Sequence, residues 1–184
     1  MLTEEIQKEI YFPYSKIRDV QGNMISDVYN TIKQKKRIIM HAPTGIGKTI
    51  AVLAPALSLA IKNNLTIFFL TSRQTQHKIV VDTLKQIKQK FGIDVECADI
   101  IGKKWMCLQK GADAMATGAF HEYCKSLRDE GNCKFYSNTR KPSMQPTIGA
   151  AQAIEELKVI GPCHVHEFVE HGKSKKMCPY ELAA

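Results

Sequence analysis

The stretch HAPTGIGKT, His41 to Thr49, decides how the rest of the chain is read. It fits GxxxxGK(S/T) except at the first position, where Ala42 stands in place of glycine. Phosphate oxygens need several backbone N–H donors converging at close range. Such a loop therefore needs glycines, here Gly45 and Gly47, and must open a helix N-terminus. Upstream, Arg37 to His41 is a short apolar run of strand length; downstream, Gly47 to Lys62 reads as a buried helix. In that context Pro43, Thr44, Gly45, Ile46 and Gly47 form the cradle, Lys48 reaches the β and γ phosphates, and the Thr49 hydroxyl coordinates Mg²⁺. The expectation is an ATP site. A chance glycine turn between strand and helix is the alternative, and the apolar elements on both sides weigh against it.

Working outward, Gln21 to Lys36 places Met24, Val28 and Ile32 at four-residue spacing, which predicts an amphipathic helix. Leu65 to Leu70, rich in Ile and Phe, predicts a second buried strand. Thr75 to Lys90, with Ile79, Leu84 and Ile87, predicts a further helix, and Val95 to Ile101 a third strand. Strands alternating with helices imply an α/β fold, a parallel sheet covered on both faces. The texture changes after Gly102. From there on lie five of the six cysteines, four of the seven prolines and the single Trp. No long strand-like run occurs, so this half reads as a mainly helical insertion organised by something other than a sheet. Thr139 to Ile148 predicts a loop and Gly149 to Val159 a short helix.

The chain has 184 residues and a net charge of +8, a balance that favours polyanionic partners such as nucleic acid. Charge alone does not separate that reading from an ordinary Lys-rich protein. The most apolar stretch, Ile50 to Ile61, falls well short of the roughly 20 residues needed to cross a bilayer, and the acidic N-terminal sequence lacks the apolar core of a secretory signal. A cytoplasmic protein without membrane contact is expected. In a reducing compartment six cysteines suit metal ligation or core packing better than disulfides. No CxxC pair occurs among Cys97, Cys107, Cys124, Cys133, Cys163 and Cys178, which disfavours a structural zinc site.

Three segments around the loop carry a family resemblance. APTGIGKT resembles the nucleotide-binding motif of superfamily 2 helicases. YFPYSKIRDVQGNM resembles the segment upstream of it, which implies that Gln21 contacts the adenine edge and that Tyr11 or Phe12 supplies a stacking surface. FFLTSRQTQ resembles helicase motif Ia and implies DNA-backbone contacts by Thr71, Arg73 and Gln74.

The words GKKWMC, NCKFY and MCPYELA resemble the cysteine motifs of the XPD family of iron-sulfur helicases, in an archaeal-type form. By that resemblance Cys107, Cys124, Cys133 and Cys178 hold a 4Fe-4S cluster. Cys97 is expected to be a buried thiol, and Cys163 remains an alternative ligand in place of Cys133 or Cys124. The histidines are expected to be solvated or capping residues rather than ligands. The resemblance implies an incomplete P-loop NTPase (RecA-like) sheet over residues 1–101, the start of motor domain 1, and an iron-sulfur domain over 102–184. The Walker B region and second motor domain are absent from this sequence, so a truncated polypeptide with negligible ATP turnover of its own is expected. The implied parent is an ATP-dependent 5′–3′ DNA helicase of nucleotide excision repair, its cluster bracing a strand-separation wedge. Single-stranded and forked DNA and the remainder of the helicase chain would be its partners. It would be monomeric or part of a repair complex, and cytoplasmic and nucleoid-associated in a prokaryote or nuclear in a eukaryote. Lys103, Lys104, Lys134, Arg140, Lys173, Lys175 and Lys176 would add phosphate contacts. The competing readings are a DNA-binding or damage-sensing iron-sulfur module without helicase activity, and a zinc-stabilised P-loop ATPase unrelated to DNA.

Overall fold

Four helices carry the regular structure of the residues up to Asp94 in the computed structural model, which describes residues 2–184. These are α1 (Glu4–Glu9), α2 (Asp19–Lys33), α3 (Lys48–Asn63) and α4 (Gln74–Phe91). The last three match the helices predicted from the sequence to within three residues at each end. Their apolar faces form the core of this unit: Met24, Ile25 and Val28 of α2, Ile50, Leu53 and Leu57 of α3, and Val80, Leu84 and Ile87 of α4 are all buried. Burial of side chains like these, at about 1.5–3 kcal/mol each, outweighs the modest propensities of their helices. Ser58 on α3 accepts the backbone N–H of Tyr11 at 2.8 Å, which fastens the segment after α1 to the helix that follows the glycine loop.

The predicted parallel sheet is not formed. Among the described residues no strand is present, and Arg37 to His41 and Leu65 to Leu70 carry no ladder. Phe68 and Leu70 are 84% and 88% exposed. Val95 to Ile101 keeps a single parallel bridge, between Ala98 and Cys163. The reason is physical. β-propensity describes how a side chain fits a pleated, half-buried surface, but a strand exists only when a second backbone lies about 4.8 Å away to exchange hydrogen bonds. The composition of these runs fits such a surface, and no neighbouring run supplies the second backbone.

The residues from Val95 to Ala184 form a second compact unit, built from a 3₁₀ turn (Lys103–Met106) and helices α5 (Thr117–Asp129), α6 (Lys134–Thr139), α7 (Ile148–Ile160), α8 (Val165–Lys175) and α9 (Pro179–Ala183). The mainly helical second half expected from the sequence is thus present. Its core gathers Met106, Ala150, Ala153, Leu157, Phe168, Met177 and Leu182 around Cys163. α7 lies where the short helix was predicted, and His164 caps α8 in a capping box with Glu167. Among the described residues no helix is long and apolar enough to cross a membrane.

α8 meets the segment leading into α9 at Gly172. A Cβ there would stand 2.7 Å from Pro179 Cγ and 3.0 Å from the Met177 carbonyl oxygen, and the second atom is backbone that cannot swing aside. Alanine gains up to about 1 kcal/mol of helix propensity over glycine, whereas overpacking costs about 1–3 kcal/mol. Overpacking wins. Gly172→Ala is expected to lower stability by about 1–2 kcal/mol in urea unfolding, and a variant at or above wild-type stability would show that this contact relaxes freely.

Candidate functional site

In the first unit the glycine loop is shaped by two left-handed residues, Gly45 at φ +84° and Gly47 at φ +81°, and the second is the N-cap of α3. Only glycine adopts these angles without a steric penalty. Lys48, the first residue of α3, folds back across the loop and donates to the carbonyl oxygens of Ala42 at 3.2 Å and Pro43 at 2.7 Å. Thr49 follows it, half-buried. The predicted loop residues Pro43, Thr44, Gly45, Ile46 and Gly47 therefore lie together at a helix N-terminus, with the α3 dipole and unpaired backbone donors behind them.

The upstream segment is joined to this loop. Gln21 is 5% exposed, and its Oε1 accepts the backbone N–H of Arg18 at 3.0 Å, which caps α2. Its Nε2 lies where a Cβ on Gly47 would stand, 2.3 Å from that position. The Arg18 guanidinium donates to the Gly45 carbonyl at 3.1 Å. Of the two aromatic candidates, Phe12 is only 6% exposed and packs edge-on to Tyr14, so its ring is core. Tyr11 is half-exposed and meets Phe91 edge-on at 5.3 Å, which leaves it the better placed to offer a face. Thr71, Arg73 and Gln74 sit at the start of α4, where Arg73 is the N-cap. Arg73 and Gln74 are exposed, and the Thr71 hydroxyl donates to the Arg73 carbonyl at 3.1 Å.

In the second unit Cys107, Cys124, Cys133 and Cys178 line one cavity. Each is brought there by a helix or its end. Cys107 closes the 3₁₀ turn, Cys124 lies on α5, Cys133 is the N-cap of α6 and Cys178 the N-cap of α9. Pro179 follows Cys178 at the first helical position, which suits proline because that N–H needs no helical partner. The Cys178 N–H donates to Thr139 Oγ1 at 2.8 Å and to the Phe135 carbonyl at 3.1 Å, tying α9 to α6. Burial is the main cause that raises the Cys107 and Cys124 thiols above the ordinary range and pushes Cys178 up to about 11. Smaller contributions come from one thiol acting on another: Cys124 and Cys133 on Cys107, Cys133 on Cys124, and Cys107 on Cys178. Among the described residues no three Cys, His, Asp or Glu side chains close around a single ion position.

Cys163 and Cys97 stand outside this cavity. Cys163 is 1% exposed, belongs to the apolar core and donates its S–H to the Gly161 carbonyl at 3.2 Å. Cys97 is half-buried, and burial, with Asp99 and Cys163 as neighbours, pushes it up to about 11.

Around the four thiols lie residues the sequence reading assigned elsewhere or did not single out. Glu181, on α9, is 7% exposed. It pairs with Lys103 at 3.0 Å and with Arg140 Nε at 3.2 Å. Lys103 also stands 4.4 Å from the Tyr180 ring centre, and Lys104 donates to the Met115 carbonyl. Three of the expected phosphate contacts, Lys103, Lys104 and Arg140, are thus engaged inside the unit, because their side chains are the counter-charges and donors that its buried acceptors require. Lys175 pairs with Glu156 at 2.7 Å, while Lys134, Lys173 and Lys176 are exposed. Arg128 also lines the cavity, and its Nε is buried with no hydrogen-bond partner.

Comparison with known proteins gives two overlapping family matches: DEAD_2 over residues 69–184 and DEAD/DEAH box helicase over residues 18–117. A probable ATP-dependent helicase of Methanocaldococcus jannaschii is 34% identical over 104 residues, which is 56% of this chain and 15% of that protein. The general transcription and DNA repair factor IIH helicase subunit XPD of Dictyostelium discoideum is 20% identical over 191 residues, covering 95% of this chain and 23% of its own length. The 3′-5′ exonuclease DinG of Bacillus subtilis is 31% identical over 109 residues, 58% of this chain and 12% of that one. The chain therefore spans less than a quarter of each of these relatives. No solved structure matches it significantly.

Proposed function

The chain belongs to the DEAD_2 and DEAD/DEAH box helicase families, whose fold is that of P-loop NTPases, and from that premise we propose that it is part of an ATP-dependent DNA helicase with an iron-sulfur cluster. The observation that carries the cluster is the convergence of Cys107, Cys124, Cys133 and Cys178 on one cavity that leaves Cys97 and Cys163 out. The donor set fits the group: a four-iron cluster takes one thiolate per iron, four in all. The orphaned Arg128 Nε at the cavity wall fits it too, since a buried donor without a partner calls for an acceptor, which cluster sulfur would supply. When bound, the cluster would supply a cross-link between four chain segments. α5, with Phe120 as its single buried residue, is a wall able to shift as the cavity fills.

In the first unit Lys48 leaves the Ala42 and Pro43 carbonyls to meet the β and γ phosphates, Thr49 holds Mg²⁺, and Gln21 reads the adenine edge with Tyr11 beside it. Thr71, Arg73 and Gln74 contact the DNA backbone, and Lys134, Lys173 and Lys176 add salt-sensitive phosphate contacts. The finer assignments belong to the same reading: 5′–3′ movement on single-stranded DNA, unwinding of forked DNA in excision repair, and a strand-separation wedge braced by the cluster. So do assembly with the remainder of the helicase or a repair complex, and a nucleoid-associated or nuclear setting.

Filter binding of single-stranded DNA across a salt series, with and without ATP, tests this reading. Arg73→Ala is expected to weaken binding uniformly across sequences and to lower the salt slope by about 1. ATP is expected to change the affinity of the wild-type chain and to leave that of Lys48→Ala unchanged. Binding indifferent to ATP, to Lys48 and to Arg73 would favour a DNA-binding or damage-sensing module instead.

A further inference from the structure

Gln109 touches two of the four thiols that line the cavity. Its backbone N–H donates to Cys107 Sγ at 3.5 Å, and its side-chain Nε2 donates to Cys133 Sγ, also at 3.5 Å. The two acceptors are 26 residues apart in sequence, so Gln109 bridges two distant segments. The side chain is half-buried. Its backbone is fixed as well: the Gln109 carbonyl accepts the N–H of Ala112 at 3.2 Å, and Ala112 is 1% exposed. Gly111, at φ +78°, makes the turn that brings the chain back. A loop held this way keeps the amide aimed at the sulfur without relying on the cysteines themselves.

The chemistry of the donor matters. A carboxamide N–H is neutral and does not titrate, so it donates to sulfur at every working pH. A hydrogen bond to a charged acceptor is stronger than one between neutral groups, and it strengthens as the acceptor gains electron density. Donors to cluster sulfurs are accordingly among the features that set an iron-sulfur potential. Of the charged groups of the cavity wall, Arg128 Nε has no hydrogen-bond partner, whereas Lys103 and Glu181 have partners of their own. Lys103 pairs with Glu181 and stands over Tyr180, and Glu181 also takes Arg140.

We propose that Gln109 is a positioning residue that donates hydrogen bonds to the Cys107 and Cys133 sulfurs of the bound cluster and holds its reduction potential up. The inference rests on the cluster reading given above. The side-chain donor favours the more electron-rich, reduced cluster, and it lowers the electron density that makes the Cys133 sulfur vulnerable to oxidants.

The test uses the whole chain purified without oxygen, as wild type, Gln109→Leu and Gln109→Glu. Iron and sulfide are measured first, then the midpoint potential by an EPR-monitored redox titration, and the half-life of the visible absorption in air. Both variants are expected to keep near wild-type iron. Gln109→Leu removes the side-chain donor and is expected to shift the reduction equilibrium about tenfold toward the oxidised form, ~59 mV for a one-electron couple. Gln109→Glu replaces the donor with a negative acceptor and should shift it further in the same direction. Decay in air should quicken in the same order. A purely structural role would lower the iron content without producing this graded order. Unchanged potentials and decay in both variants, or loss of iron from both, would overturn the assignment. Absence of iron from the wild type would overturn the cluster reading itself, and that result is seen before either variant is measured.

Discussion

Gly47→Ala is expected to weaken nucleotide binding roughly 30-fold or more while the chain stays folded. Two costs combine. Alanine at φ +81° carries a left-handed penalty of about 1–2 kcal/mol. Its Cβ would also stand 2.3 Å from Gln21 Nε2. The far end of a glutamine can usually move away, but Gln21 is 5% exposed and its Oε1 accepts the Arg18 N–H, so moving it forfeits a buried hydrogen bond of about 1 kcal/mol. Together these reach about 2–3 kcal/mol, and every 1.4 kcal/mol is tenfold in affinity. Gly45→Ala is the control. Its φ is +84°, yet no atom lies within 4 Å of the Cβ position, so only the backbone penalty applies and a smaller loss is expected. Titration with a fluorescent ATP analogue gives the order. Equal losses in the two variants would show that the Gln21–Gly47 contact has no part in the site.

Glu181→Leu is expected to destabilise the second unit by about 2–3 kcal/mol in urea unfolding. Leucine fills a similar volume, but it leaves Lys103 and Arg140 facing an apolar group. Removing one partner of a fully buried pair costs about 3–5 kcal/mol. The Lys103 and Arg140 side chains are 25% and 15% exposed, which brings the figure below that range. The Arg140 Nη2 donation to the Glu181 backbone carbonyl at 2.9 Å survives the change and softens it further. The cost should come from stranded positive charge rather than from a lost contact. The double variant Glu181→Leu with Arg140→Met is therefore expected to regain about half of it. A single-variant loss under about 0.5 kcal/mol, the value of an exposed pair, would contradict this account.

What the sequence made legible was what short-range chemistry specifies. The glycine positions of the loop follow from the φ that phosphate binding requires, and Gly45 and Gly47 both have it. Helices α2 and α4 follow from period-3.6 burial, α3 from the apolar run behind the glycine turn and α7 from the run after a proline-containing loop, signals contained within each segment. The shared cavity of Cys107, Cys124, Cys133 and Cys178 was suggested by local words that resemble a family. Their spacing alone gave no such set, and the family words left Cys163 as an alternative.

What depends on partners distant in sequence was not legible. Leu65 to Leu70 has the composition of a strand, but a ladder depends on a backbone elsewhere, and none pairs with it here. Arg140 looks like a surface cation until Glu181, 41 residues away, is brought against it. Phe12 and Tyr11 are indistinguishable as stacking candidates in sequence; packing separates them, by burying the first. Gln109 carries no sequence signal at all, because its role depends on where Cys133 lies. α6 and α9, of six and five residues, are too short to show a helical period, and α5 and α8 are amphipathic helices that the sequence reading left unassigned.

The measurement that bears most directly on the central claim is iron and acid-labile sulfide content, with the visible spectrum, on the anaerobically purified chain and on single Cys-to-Ser variants. The wild-type protein is expected to be brown, with about four irons and four sulfides per chain. That content is expected to be lost in the Cys107, Cys124, Cys133 and Cys178 variants and retained in the Cys163 variant, whose thiol lies in the apolar core. Zinc in place of iron, no metal under conditions that protect clusters, or loss on replacing Cys163 with retention on replacing Cys133 would contradict the claim.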